Sequence, residues 1–194
     1  HDFGVKLMPK PQEQEQLESI VEPLSKVKKM KIMVCPGSNW ANKQLSKETL
    51  LSFLQNIDKK LTAHFILVWG NQSEKELTED LSASFPQQSV VIDRLSLPGL
   101  QNLMTHVDLV IAMDSLPLHL AGTTSTPTYS VFGASSCQKY KPLGDLHEAY
   151  QGSCPYGKSF IKRCDVLRTC KTGACIKNLE GQRLFDHFFK WWSS

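Results

Sequence analysis

The chain has 194 residues, 41% of them hydrophobic and 21% charged, with 11 Gly and 10 Pro, enough for one full domain with a real core or two very small ones. This apolar content excludes disorder, and the lack of any period excludes collagen and coiled coil. Net charge is only +3, the longest apolar stretches (Phe65–Trp69, Leu109–Met113) are strand-length, and His1–Pro11 holds no apolar signal core, so a soluble protein is expected.

Residues 1–30 are polar, with Pro9, Pro11 and the run Gln12–Gln16, and read as a linker-like lead-in. Leu17, Ile20, Val21 and Leu24 give it one amphipathic helix. From residue 31 a clear alternation begins. Lys31–Cys35 reads as a buried strand, and Ser46 caps a helix whose inner face is Leu50, Phe53, Leu54 and Ile57. His64–Trp69 is the next strand, and Ser73 with Glu76 forms a capping box for a helix to about Ser84. Ser89–Asp93 is a third strand, and Ser96 opens a short helix with Leu97, Leu100, Leu103 and Met104 inward. Val107–Met113, a short helix over Leu116–Gly122 and the strand Pro127–Phe132 follow. Residues 137–177 read as irregular, and a last helix over 180–192 carries Leu184, Phe185, Phe188, Phe189 and Trp192. Apolar strands alternating with helices predict an α/β, Rossmann-like parallel sheet with helices on both faces, spanning residues 31–194.

Charge and cysteine are concentrated late. Cys137–Lys177 holds eight Lys and Arg against three acids, a local +5 that leaves −2 for the rest. Such a patch suits an anionic ligand, an anionic membrane surface or simply solvent; without an accompanying motif, nucleic acid is not expected. Cys35 ends a strand and reads as a small buried hydrophobe. Cys154, Cys164, Cys170 and Cys175 form a candidate metal cluster in which only Cys170 and Cys175 have the spacing of a knuckle, and free thiols are the default.

In an open α/β sheet ligands bind beyond the carboxyl ends of the strands. The first strand exits through Cys35-Pro36-Gly37-Ser38-Asn39-Trp40-Ala41-Asn42-Lys43, which offers a close backbone approach, a hydroxyl and a cation. It is neither a Walker loop nor Gly-x-Gly-x-x-Gly. At the second exit Glu74 is suited to ribose hydroxyls and equally to a first-turn helix acid. The fourth exit, Met113-Asp114-Ser115-Leu116-Pro117, leads into a helix carrying His119, which is either a ligand contact or a core histidine among leucines.

Pro36-Gly37-Ser38-x-Trp40-x-x-Lys43, Gly70-x3-Glu74, Asp114-Ser115-x3-His119-Leu120-Ala121, the later Pro127-x4-Phe132-Gly133 and the segment from Cys154-Pro155 together resemble glycosyltransferase family 9, the bacterial lipopolysaccharide heptosyltransferases. The likeness runs from about residue 31 to 180. It implies a GT-B architecture, of which this chain matches the C-terminal, donor-binding half. It implies that Ser38, Asn39 and Lys43 lie at the donor's phosphates, Glu74 at the ribose and Leu95 against the adenine. Asp114, Ser115, Leu116 and His119 would lie at the pyrophosphate and heptose. The donor would be ADP-heptose, transferred with inversion to the lipopolysaccharide core, with no cofactor demanded. The general base belongs to the family's N-terminal acceptor half, which these residues do not match, so this chain alone is expected not to turn over; His119 is the one catalytic candidate within it. The expected location is the cytoplasm, with the basic segment free to meet the inner membrane peripherally. Two positions depart from the family pattern. Leu116 stands where a glycine is usual, and Ala134-Ser135-Ser136 replaces the usual Thr and Pro arrangement. A non-catalytic nucleotide-binding or interaction module that keeps the Rossmann-like core is the alternative.

Overall fold

The computed structural model describes residues 4–194, so residues 1–3 of the expected lead-in lie outside the described residues. The strands are β1 (Met30–Cys35), β2 (Ala63–Leu67), β3 (Ser89–Val91), β4 (Leu109–Met113), β5 (Thr128–Phe132) and β6 (His147–Gln151). The helices are α1 (Pro11–Ser25), α2 (Lys47–Leu61), α3 (Gln72–Ala83), α4 (Leu97–Met104), α5 (Leu116–Ala121), α6 (Cys137–Tyr140), α7 (Ala174–Lys177) and α8 (Gly181–Trp192). All six strands are parallel, in the order β3-β2-β1-β4-β5-β6.

Period-two alternation divides the strand residues between two cores. Ile32, Val34, Phe65, Leu67, Leu109, Ile111, Tyr129 and Val131 face one way and bury against Phe53, Leu54 and Ile57 of α2, Leu81 of α3, and Leu184 and Phe188 of α8. Met33, Cys35, Ile66, Val110, Ala112 and Phe132 face the other way, against α1, α4 and α5. With both faces covered, the central strands are largely apolar, and β4 is wholly so. The expected Rossmann-like α/β fold is present. The amphipathic helix expected before residue 30 is α1; its Leu17 and Leu24 are buried in the second core.

Local chemistry sets the element ends, with two corrections to the sequence reading. Ser46 and Ser96 accept from the N–H groups of Thr49 and Gly99 and cap α2 and α4 as expected. For α3, however, the cap is Asn71, whose side chain accepts from the Glu74 N–H; Ser73 already lies in the first turn. The segment read as irregular contains β6, which extends the sheet beside β5. Its edge position lets half-buried Glu148 and Tyr150 alternate with buried His147 and Ala149 before the strand ends at exposed Gln151, so it lacks the apolar run of its neighbours.

Helix α8 lies tightly along α2. A Cβ on Gly181 would come within 2.6 Å of Ser52 Cβ and 2.7 Å of the Phe53 nitrogen, so the approach needs glycine. Leu184 and Phe188 are fully buried, whereas Phe185, Phe189, Trp191 and Trp192 are half-buried at its margin. Beneath it Tyr129 donates to the Leu184 carbonyl at 3.2 Å and pairs with His187 Nδ1 at 3.1 Å. Phe188→Ala is expected to cost about 3–5 kcal/mol in urea unfolding, because the void lies between α2, α8 and the sheet.

Burial pulls the His64, His147 and His187 pKa values below the ordinary histidine value; nearby lysines add to the effect, and at His187 the Glu148 carboxylate opposes it without cancelling it. The unfolded chain therefore takes up protons before the folded one. Stability is expected to be full above pH 6.5 and to fall as the pH drops below it, in thermal melts run from pH 8 to about 5.

Candidate functional site

Topology decides where the site lies. From β1 the chain winds outward through β2 to β3, then returns through α4 to β4 on the opposite flank of β1. The connections after β1 and β4 leave in opposite directions, and a crevice opens between them. A cavity of about 590 Å³ fills this crevice and spreads to the exits of β2 and β3. That is within the roughly 300–1,000 Å³ of small-ligand sites. All nine residues singled out from the sequence, Ser38, Asn39, Lys43, Glu74, Leu95, Asp114, Ser115, Leu116 and His119, line this one cavity.

Its floor is an ion pair. A single 3-10 turn, Ala41–Lys43, follows β1 and directs Lys43 inward. Lys43 Nζ donates to Asp114 Oδ2 at 2.5 Å, and less than a tenth of either side chain is exposed. Ser38 Oγ adds a bond to the Asp114 carbonyl at 3.4 Å, and the Gln44 amide donates to the Ser38 carbonyl at 2.6 Å. The exits of β1 and β4 are thus tied together. His119 is not a core histidine: it is half-exposed, with Nε2 3.9 Å from Asp114 Oδ1. Ser115 Oγ turns back to the Met113 carbonyl and gives α5 no side-chain cap.

Glu74 stands on the neighbouring wall, one turn into α3. Its carboxylate accepts from the Gly70 N–H at 2.7 Å and sits directly over Gly37, where a Cβ would lie 2.1 Å from it. Gly37 therefore makes room for a carboxylate, and any side chain there would expel it. Burial pushes the Cys35 thiol up beyond any working range, and Glu74 adds to the shift, so Cys35 is the inert core residue expected.

Sequence reasoning missed part of the lining. Asp93, Arg94 and Leu97 lie at the exit of edge strand β3, where only Leu95 was singled out. Arg163 arrives from the basic segment through an antiparallel bridge to Ser135, just beyond β5. Its guanidinium lies 5.1 Å from the Tyr140 ring centroid, and it has no carboxylate partner among the described residues. Trp69 also lines the cavity, with its indole N–H buried and unpartnered.

The candidate cysteine cluster is not assembled. Among the described residues no three His, Cys, Asp or Glu side chains are placed to hold a metal. Cys154, Cys164 and Cys175 instead pack around Ala134 and Leu167 as a small apolar cluster. Cys170 accepts from the Gly173 N–H and contacts Thr172, interactions that lower its thiol pKa, and together with Cys154 and Cys164 it raises that of Cys175 beyond the effect of burial. Among the described residues no helix is long and apolar enough to cross a membrane.

Breaking the floor pair is expected to be expensive. Asp114→Asn or Lys43→Met alone strands a buried charge and should lower unfolding free energy by about 3–5 kcal/mol, whereas the double variant should lose much less than the sum.

Comparison with known proteins agrees with this geometry. The family model described as "Glycosyltransferase family 9 (heptosyltransferase)" matches residues 2–168. Lipopolysaccharide heptosyltransferase 1 of Campylobacter coli is 32% identical over 62% of this chain and 36% of its own length. Among solved structures, the family 9 glycosyl transferase from Veillonella parvula superposes with a TM-score of 0.71 at 14% identity, over 97% of this chain and 53% of that one. The E. coli heptosyltransferase WaaC with ADP gives 0.67 at 15% identity, over 89% and 49%. At these identities the two structures share the fold with this chain, and this chain spans about half the length of each and about a third of the Campylobacter relative. The family match covers most of the sequence, including every residue on the floor of the cavity, and the chain belongs to glycosyltransferase family 9.

Proposed function

We propose that this chain is the donor-binding half of a GT-B glycosyltransferase, holding ADP-heptose for inverting transfer to the lipopolysaccharide core. The observation that carries this reading is the charge layout of the cavity. Its β2–β3 end pairs the apolar Leu95 and Leu97 with Glu74, a surface for a base and a ribose. Its β1–β4 end gathers Ser38, Lys43, Asp114 and, from beyond β5, Arg163. A nucleotide sugar lying along the strand exits places its diphosphate between Lys43 and Arg163, and its sugar hydroxyls within reach of Asp114 and His119.

The chemistry needs two things: a base for the acceptor hydroxyl and relief of the charge that develops on the leaving diphosphate. Lys43, Ser38 and Arg163 serve the second. For the first, Asp114 is held by Lys43 and Glu74 by the Gly70 N–H. His119 is unhindered, yet it sits on the donor's own side of the cleft. The base is therefore assigned to an acceptor-binding half, and this chain alone is expected to bind donor without transferring it.

The second reading, a non-catalytic nucleotide-binding module, is favoured by Leu116, which is 60% exposed among the lining residues where the family usually has glycine. Calorimetric titration separates the two. ADP should bind saturably and UDP should not match it. Lys43→Ala and Arg163→Ala should each weaken ADP about 10–100-fold, as expected for a charge-assisted contact, and leave adenosine nearly unchanged. No heat with either nucleotide would sink the donor-half reading. Melting curves establish whether each variant is folded at the titration temperature, and Arg163→Ala, which breaks no ion pair among the described residues, carries the test if Lys43→Ala is not.

A further inference from the structure

The segment Val5–Leu7, ahead of α1, is held to α4 by two side-chain amides. Gln101 Oε1 accepts from the Leu7 N–H at 2.7 Å, and Gln101 Nε2 donates to the Val5 carbonyl at 2.6 Å. Asn102 Nδ2 donates to the Leu7 carbonyl at 3.0 Å and to the Pro98 carbonyl at 2.8 Å. Val5, Lys6 and Met8 are exposed and Leu7 is half-buried, so hydrogen bonds rather than apolar burial hold the segment down.

Gln101 is itself buried, and its amide also donates to Thr123 Oγ1, just past α5, at 2.6 Å. The Thr123 hydroxyl gives its own proton to the Leu120 carbonyl, so it accepts from Gln101 and fixes which way the amide faces. One side chain thereby joins the lead-in, α4 and α5. Both helices line the large cavity, α4 through Leu97 and Leu100 and α5 through Leu116, Pro117 and His119. Leu95 and Leu100 pack from behind against the core that holds Leu17 and Leu24 of α1. Gln16 of α1 reaches the carbonyl of Arg94, another lining residue, at 3.5 Å. The N-terminal segment thus stands behind the cavity wall at the end proposed for the base.

We propose that Gln101 is a positioning residue that couples docking of Val5–Leu7 to occupation of the cavity by nucleotide, each favouring the other. With the segment docked, the amide is fixed and α4 is bonded to α5. With the segment released, Gln101 loses two of its three partners, its amide is free to turn from Thr123, and the Leu97–Leu100 wall loses its tie to α5. A base that packs on a fixed wall does not have to order it first. Linkage then requires bound nucleotide to hold the segment down by the same factor. The inference rests on reading the cavity as the nucleotide site of a donor-binding half. An acceptor-binding half joined through this lead-in would report its position to the donor site by these hydrogen bonds.

Amide exchange of the full chain, followed by NMR, should slow at Leu7 about five- to tenfold when the chain is saturated with ADP. Two variants measure the reciprocal effect. Leu7→Pro removes the N–H given to Gln101 without touching α4, and Gln101→Met nearly keeps the side-chain volume while removing its hydrogen bonds. Each should weaken ADP, and adenosine with it, about five- to tenfold, and the double variant should be no weaker than Gln101→Met alone. The loss of adenosine separates this effect from the diphosphate contacts, whose variants leave adenosine nearly unchanged. Leu7 exchange that stays the same with ADP bound, or Leu7→Pro binding ADP and adenosine like the parent chain, would overturn the proposal. Leu7→Pro carries the test if Gln101→Met is unfolded at the titration temperature. If the parent chain binds no ADP, the donor-half reading falls and this inference with it, whereas ADP bound without a response at Leu7 overturns the inference alone.

Discussion

The site depends on one buried ion pair. Lys43 and Asp114 come from segments 71 residues apart and meet where the chain leaves β1 and β4 in opposite directions. Such a pair is a poor source of stability, since stripping water from two charges consumes most of what their attraction returns. Its value here is positional. It fixes two loops that diverge at the switch point, and Ser38 reinforces the same junction through the Asp114 carbonyl. It also balances the Asp114 carboxylate, so the diphosphate proposed for this end would meet an ammonium rather than a bare carboxylate. The carboxylate oxygen turned toward His119 keeps lone pairs for hydroxyl donors.

Because Lys43 is already balanced, the net positive field at that end has to come from elsewhere. Arg163 supplies it, and the route by which it gets there gives the cysteine-bearing segment a structural purpose. Cys154, Cys164 and Cys175 pack with Ala134 and Leu167 beneath the loop. The Ser135–Arg163 bridge then presents the guanidinium over the end of the sheet. These cysteines act as small apolar side chains in a satellite core, and Arg163 beside them stands on the wall of the large cavity.

The sheet was legible in the sequence because buried parallel strands are predominantly apolar: β4 is apolar throughout, and β1, β2 and β5 are broken only by Lys31, His64, Thr128 and Ser130. The residues of the large cavity were legible for a related reason: once the strands are placed, their exits are known, and the exits of an open α/β sheet are where ligands sit. Edge strand β6 escaped because one side of it is polar, and Asn71 escaped as the α3 cap because Ser73 offers the same chemistry two residues later. Arg163 left no local signal. Its place follows from a bridge across 28 residues of mostly irregular chain, which no periodicity encodes.

Leu116 shows where a departure from the family pattern has to be weighed in structure. A glycine lost from a turn matters most when the backbone needs positive φ, and Thr62 is the sole non-glycine residue with positive φ among the described residues. The turn into α5 is thus formed without strain, and the consequence of Leu116 is steric and apolar alone. Leu116 is 60% exposed, Trp40 40% and Leu97 46%, and all three line the same cavity. Exposed apolar side chains around a polar floor lose water contact when a ligand seats between them, at roughly 25 cal/mol for each Å² covered. Leu116 therefore narrows the space beside the sugar end and at the same time adds apolar surface to hold whatever fits. On the donor-half reading proposed above, the substitution reshapes the place for the sugar rather than abolishing it.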